Sequence, residues 1–215
     1  MKILIVGLGK FEHHEKAWVK AFESLGVSVN TFFYNEFLLG KLGYLKQRTL
    51  LFTNTLNQNL LVLSNELKPD IVFLYGAKLI SPSTILELKS IAKVVYFNPD
   101  NCFSPLVRKS FWKFHKLSIP LYDHIFCYRK SCLENYLSYG AKNVSILLPY
   151  YVPSVHLQSN SNSFRDRDID VLFTCKDKKK YKQFIEALKE TEYLVEHLAE
   201  GQKKYNGICK YGKNP

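Results

Sequence analysis

The chain has 215 residues, 47% hydrophobic and 14% aromatic, with a formal net charge of +11. Such a composition can bury a sizeable core, which excludes global disorder, and no apolar run approaches the roughly 18 residues of a membrane-spanning helix. The positive balance suits an acidic partner, whether nucleic acid, an anionic membrane or a phosphorylated substrate, without choosing among them.

The N-terminus "MKILIVGLGKFEHH" has no small-residue cleavage site and flows into a helical pattern. It reads as a first strand rather than a signal peptide, which implies a cytoplasmic protein. The run Lys2–Gly7 is aliphatic throughout and ends in glycine, as a strand buried on both faces would. Trp18, Ala21, Phe22 and Leu25 then fall at helical spacing, with Gly26 as the stop. Val27–Tyr34 is the second strand, followed by a Leu-rich stretch from about Phe37 to Leu67 that reads as one broken or two short helices. Lys68–Gly76 is the third strand. Ser81-Pro82 opens a helix to Ser90, because proline fits the first helical position behind a serine cap. "KVVYFN" is the fourth strand, Ser104–Leu117 a helix, "DHIFCYR" the fifth strand, "KSCLENYLSYG" a helix and "NVSILLPY" the sixth strand.

Alternation this regular implies a parallel sheet with helices on both faces, joined by right-handed crossovers. The expected fold is therefore α/β, a doubly wound, Rossmann-like domain over residues 1–152. A polar, Ser/Asn-rich linker follows over 153–168, and 169–215 read as the start of an incomplete second α/β unit. That unit is expected to hold one strand, Ile169–Cys175, and a helix running on through "KDKKKYKQFIEALKETEYLVEHL".

Cys102, Cys127, Cys132, Cys175 and Cys209 show no Cys-x-x-Cys spacing, and their odd number argues against a closed disulfide framework. Reduced thiols and no metal site are expected.

In open parallel sheets ligands bind beyond the carboxyl ends of the strands. Three such ends carry unusual residues. Gly7 and Gly9 permit close approach of a ligand, although Glu12 breaks the G-x-G-x-x-G pattern, and easing a tight turn would explain both glycines as well. His13 and His14 are candidate general bases or simply solvated residues of a first helical turn. Tyr75, Gly76 and Lys78 follow the third strand, where Lys78 could hold a phosphate or an acidic group. After the fourth strand comes Asn98-Pro99-Asp100-Asn101. Pro99 keeps Asn98 extended, leaving Asp100 and Asn101 either to meet a hydroxyl-rich ligand or to form an Asx turn ahead of the next helix. Arg108–Lys116, "RKSFWKFHK", interleaves cations with aromatics. Lys109, Lys113 and Lys116 share one helical face, with Phe111, Phe114 and Ser118 opposite. This stretch could lie on an anionic membrane or be an ordinary amphipathic helix; no recognised nucleic-acid motif accompanies it.

Taken in order, these segments resemble the N-terminal half of two-domain GT-B glycosyltransferases of the CgeB-like, spore-maturation type. The resemblance rests on Asp100 with Asn101, on Asp123 to Phe126, on Gly140 through Pro149, on His156 and on Asp170 to Phe173. It implies that the N-terminal domain binds an acceptor and the C-terminal domain a nucleotide sugar, with transfer between them and no bound metal or cofactor. A base among Asp100, His13 and His14 would take the acceptor's hydroxyl proton, and the acceptor would be a glycan, lipid or protein. Gly7, Gly9, Tyr75, Gly76, Lys78, Asn98 and Asn101 would line the substrate side. The family's paired aspartates are a single Asp100 here. The alternative is a non-catalytic Rossmann-like module that recognises a glycan, an acidic metabolite or a partner protein.

Overall fold

A computed structural model describes residues 1–9, 12–39, 43, 45–46, 53–107 and 109–148, and, farther on, 171–174, 186, 195–198 and 209–211. Backbone alone is described for residues 12 and 13 and for the strands beyond residue 170. Two compact units divide at His156 and Leu157. Residues 149–170, which include the expected linker and His156, lie outside the described residues.

The first unit holds strands β1 (Lys2–Gly7), β2 (Ser28–Phe33), β3 (Ile71–Tyr75), β4 (Lys93–Asn98), β5 (His124–Cys127) and β6 (Val144–Ile146). They form one sheet in the order β2-β1-β3-β4-β5-β6, and every pair is parallel. Among the described residues its α-helices include α1 (Ala17–Ser24), α2 (Asn54–Leu67), α3 (Pro82–Ile91), α4 (Lys113–Ser118) and α5 (Leu133–Ser138).

Alternate strand residues enter two separate cores, as a pleat of period two demands. Leu4, Val6, Val72, Leu74, Val94 and Tyr96 face one side, packed with Leu56 and Leu60 of α2 and Ile85 and Leu88 of α3. Ile3, Ile5, Phe73, Tyr75 and Phe97 face the other, where Trp18, Val19 and Phe22 of α1 cover them. The chain steps one way from β1 to β2 and the opposite way thereafter, so right-handed crossovers place α1 on one face and α2 and α3 on the other. The fold is thus a doubly wound, Rossmann-like α/β sheet.

Local signals act where the sequence placed them. The Ser81 hydroxyl accepts the Thr84 amide (3.2 Å), and Pro82 opens α3. Gly26 closes α1 with a left-handed φ of +73°. Asp123 lies at the amino end of β5, where its carboxylate accepts the Val94 amide (2.8 Å) and pairs with Lys89. Burial works against its charge, but those donors hold its carboxyl below the usual range. The Asp123–Phe126 feature of the resemblance is therefore a strand anchor, at the amino end of the sheet, opposite the strands' carboxyl tips.

Three expectations change. Leu25 does not share the apolar stripe of α1; it is 76% exposed, because the helix ends at Ser24. The helix expected over Ser104–Leu117 forms only from Lys113, after a 3-10 turn at Lys109–Trp112. Such a turn advances three residues per winding instead of 3.6, which shifts the inward face to Trp112, His115 and Ser118. Phe111 and Phe114 are only partly buried, and Arg108 is outside the described residues.

The second unit contains β7 (Val171–Thr174), β8 (Val195–Leu198) and β9 (Cys209–Tyr211) in the order β7-β8-β9. The β7–β8 pair is parallel and β8–β9 antiparallel. Val195–Leu198 is a strand where the helical reading ran on, since four residues are too few for periodicity to separate strand from helix.

Candidate functional site

The direction of chain travel reverses between β1 and β3, and their carboxyl ends flank the switch point at which doubly wound sheets bind ligands. Gly7 ends β1, and its carbonyl accepts the Tyr34 amide (3.1 Å). A Cβ on Gly7 would lie 3.1 Å from Glu15 Cγ and 3.6 Å from the Tyr75 carbonyl, so the tips of β1 and β3 meet closely there. Gly9 turns with a φ of +74°, and a Cβ on it would sit 2.5 Å from Phe33 Cβ. Only glycine fits.

Behind this turn stands Glu15, in a single π-helical turn (Glu12–Lys16) that feeds α1. It is 2% exposed; its Oε1 accepts the Gly9 amide (3.1 Å), and its Oε2 is buried with no hydrogen-bond partner. Sequence reasoning passed over Glu15, yet Glu15, Trp18 and Phe22 follow i, i+3, i+7, which already places its side chain on the sheet-facing stripe. His14 is exposed and its ring stacks on Tyr75, with centroids 6.1 Å apart. The side chain of His13 lies outside the described residues. Tyr34 is buried, and its hydroxyl is pushed above the usual phenol range by burial and by the charge of Glu15, against a hydrogen bond from the Lys78 backbone amide.

β4 supplies the next wall. Gly76 takes a φ of +54° and donates its amide to the Phe97 carbonyl (2.9 Å), joining the ends of β3 and β4. The Asn98 Oδ1 accepts the Asp100 amide (3.0 Å), and the Asn101 Oδ1 accepts the Phe103 amide (3.0 Å). These are two successive Asx turns, so the short polar segment builds its own backbone support. Asn98 is 1% exposed, and its Nδ2 donates to the Tyr136 hydroxyl (2.7 Å). Both ends of its amide are used inside the protein; Asn98 shapes the turn rather than facing a ligand.

Asp100 is exposed and pairs with Lys78 (Nζ to Oδ2, 3.1 Å). The Lys78 ammonium also lies 4.0 Å from the ring centre of Trp112 and 4.4 Å from that of Phe111. Burial lowers its pKa while Asp100 holds it up. With Asp100 58% exposed the pair adds at most about 1 kcal/mol to stability, so its presence at the crevice is better explained by position than by energy. Of the sequence candidates, the structure gathers Gly7, Gly9, Tyr75, Gly76, Lys78, His14, Asp100 and Asn101 along one carboxyl edge.

Beneath that edge runs a buried polar cluster. The Tyr136 hydroxyl meets Asn98, His115 Nε2 (3.1 Å) and Cys102 Sγ (3.5 Å). The His115 ring stacks on Tyr96 at 4.2 Å, and its Nδ1 has no partner. Neither His115 nor Tyr136 was singled out from sequence. The i, i+3, i+6 spacing of Trp112, His115 and Ser118 is the signal that could have found His115.

On the outer surface, Lys109, Lys113 and Lys116 line an open groove of about 410 Å³ with Leu117 and Tyr139. No acidic residue occurs between Asn101 and Tyr122. Among the described residues no helix is long and apolar enough to cross a membrane, and none of their His, Cys, Asp and Glu side chains form a metal-binding group of three.

No protein-family model matches the chain, and no curated protein matches it. Solved structures do. The MnaA–UDP co-structure from S. aureus is 16% identical with a TM-score of 0.58; the alignment covers 94% of this chain and 62% of that one. A putative UDP-N-acetylglucosamine 2-epimerase from Listeria monocytogenes is 14% identical with the same TM-score of 0.58, over 95% of this chain and 63% of that one. The spinosyn rhamnosyltransferase SpnG, complexed with thymidine diphosphate, aligns at 15% identity over 93% and 65%, at a TM-score of 0.45. The chain spans less than two thirds of the length of the first two, and at these identities the likeness establishes the fold, which is GT-B-like.

Proposed function

We propose that this chain takes part in glycosyl transfer from a nucleotide sugar to an acceptor hydroxyl. The first unit supplies the acceptor-side crevice, in the manner of the CgeB-like enzymes. The observation that carries the reading is the switch point itself: Gly7 and Gly9, Tyr75 and Gly76, and the Lys78–Asp100 pair all stand at the carboxyl ends of three adjacent strands. Carboxylate, ammonium and aromatic faces together match a polyhydroxylated ligand, which needs hydrogen-bond acceptors, donors and a flat apolar surface. Supporting this, structures of the same fold include one with UDP bound and one named as a UDP-sugar epimerase. The donor would sit on the second unit. Asp100 and His14 both stand exposed on this edge, where an acceptor could meet them.

Titration calorimetry with UDP-, GDP- and TDP-sugars tests this directly. Saturable heat is expected with one nucleotide class; absence of heat with all three would leave the alternative, a binding module for a glycan, metabolite or partner chain. The lysine-lined groove adds a peripheral contact with anionic membrane to the same proposal, since three cations beside exposed Leu117 and Tyr139 suit a headgroup layer. Flotation with phosphatidylserine vesicles should show binding at low salt that is lost at high salt; no flotation at low salt removes the contact.

A further inference from the structure

We propose that Glu15 is the carboxylate at the switch point that receives the acceptor's hydroxyl and takes its proton during transfer, an assignment that rests on the glycosyl-transfer reading. Its surroundings ask for a ligand donor. Oε1 is engaged by a single backbone amide, from Gly9, and Oε2 has no partner. Among the described residues no cation pairs with it, whereas Asp100 and Asp123, both more exposed, each hold a lysine. A buried polar atom with nothing to bond costs stability, and a fold keeps such a group where a ligand completes it.

The same arrangement argues against a phosphate at the first turn. A helix start and paired glycines would cradle an anion through free amides, but here the Gly9 amide already belongs to Glu15, and the carboxylate would repel a diphosphate. What remains acceptable beside Gly7 is a neutral hydroxyl. Largely shielded from water at 2% exposure, the carboxylate is a stronger hydrogen-bond acceptor than it would be in bulk solvent. Asp100, by contrast, already shares its charge with Lys78, and His14 lies exposed over Tyr75.

In the step itself the acceptor O–H bond breaks and its proton passes to Glu15. The oxygen's electron pair forms the new bond to the anomeric carbon. The bond from that carbon to the diphosphate oxygen breaks, and its electron pair leaves with the nucleoside diphosphate.

Glu15→Gln in the full chain tests the assignment, because glutamine keeps the shape and the acceptor for Gly9 but loses the basic oxygen. Its urea midpoint is expected to equal or exceed that of the unchanged chain. With UDP-N-acetylglucosamine and TDP-rhamnose as probes, calorimetric affinity should be unchanged, while donor hydrolysis, in which water replaces the acceptor, should fall about 100-fold or more. A lower midpoint, or failure of the variant to fold, would mean that Glu15 merely pins the Gly9 turn, and would overturn the assignment. So would hydrolysis within a few-fold of the unchanged chain. If neither probe binds the unchanged chain, the glycosyl-transfer reading fails by itself, and the urea midpoint still decides whether the carboxylate is a structural pin.

Discussion

Tyr136→Phe is expected to lower the unfolding free energy by about 2–4 kcal/mol, although it removes one oxygen atom from the molecule. That oxygen is fully buried and is shared by the Asn98 amide, His115 and Cys102. Burial keeps the hydroxyl protonated far above the usual phenol range, so it can donate one hydrogen bond and accept others at any working pH. Without it, the Asn98 amide and the His115 imidazole are each left facing a partnerless space that water does not reach. The damage should travel outward along a short path. Asn98 carries the Asp100 amide on its Oδ1, so a loosened Asn98 frees the turn that presents Asp100 to the crevice. Urea unfolding measures the loss, and faster labelling of the buried Cys102 thiol by a disulfide reagent reports the local opening. Tyr139→Phe is the control, because Tyr139 is 45% exposed and its loss should be within about 0.5 kcal/mol. Equal stability of the two variants would show that the hydroxyl hub carries no energy.

Acid should destabilise the first unit through His115. Burial, reinforced by the nearby charges of Lys78 and Lys116, pulls its pKa from 6.5 down to about 3. Its other neighbours are Tyr96, Trp112, Tyr122 and Tyr136, none of which supplies a negative charge. The folded protein therefore holds the ring neutral, while the unfolded chain takes up a proton below about pH 6.5. The stability this contributes is complete above pH 6.5 and drains away as the pH falls toward 3, amounting to about 3 kcal/mol by pH 4. His115→Phe keeps a ring against Tyr96 and should flatten the slope of unfolding free energy between pH 6.5 and 4. Parallel slopes in the two proteins would mean that the acid sensitivity comes from elsewhere. Since His115 also touches the Tyr136 hydroxyl, protonating it and removing that hydroxyl should strike the same turn.

The six parallel strands were legible in the residues, because most are short apolar runs and several end at glycine, asparagine or proline, and such signals act within a few residues. The tips that make up the crevice were legible for the same reason, since a parallel sheet puts every carboxyl end on one edge. "YFNPDN" showed that something beyond a plain strand happens after Phe97. It did not show that Asn98 turns inward to Tyr136, nor that Asp100 finds Lys78, because those partners lie 38 and 22 residues away.

Tertiary structure decided the rest. A 3-10 turn at Lys109–Trp112 rotates the following helix and brings in His115, which hydrophobic periodicity counts as a polar residue. The spacing of Glu15 with Trp18 and Phe22 points it at the sheet, but only with α1 laid on the sheet is its carboxylate closed in against Gly7 and Gly9. Val195–Leu198 pairs as a strand because neighbours exist on both sides of it. Chain-local chemistry thus determined which segments are stiff and where they stop. Burial of polar groups depends on surfaces brought together from distant parts of the chain, and only the packed molecule could decide it.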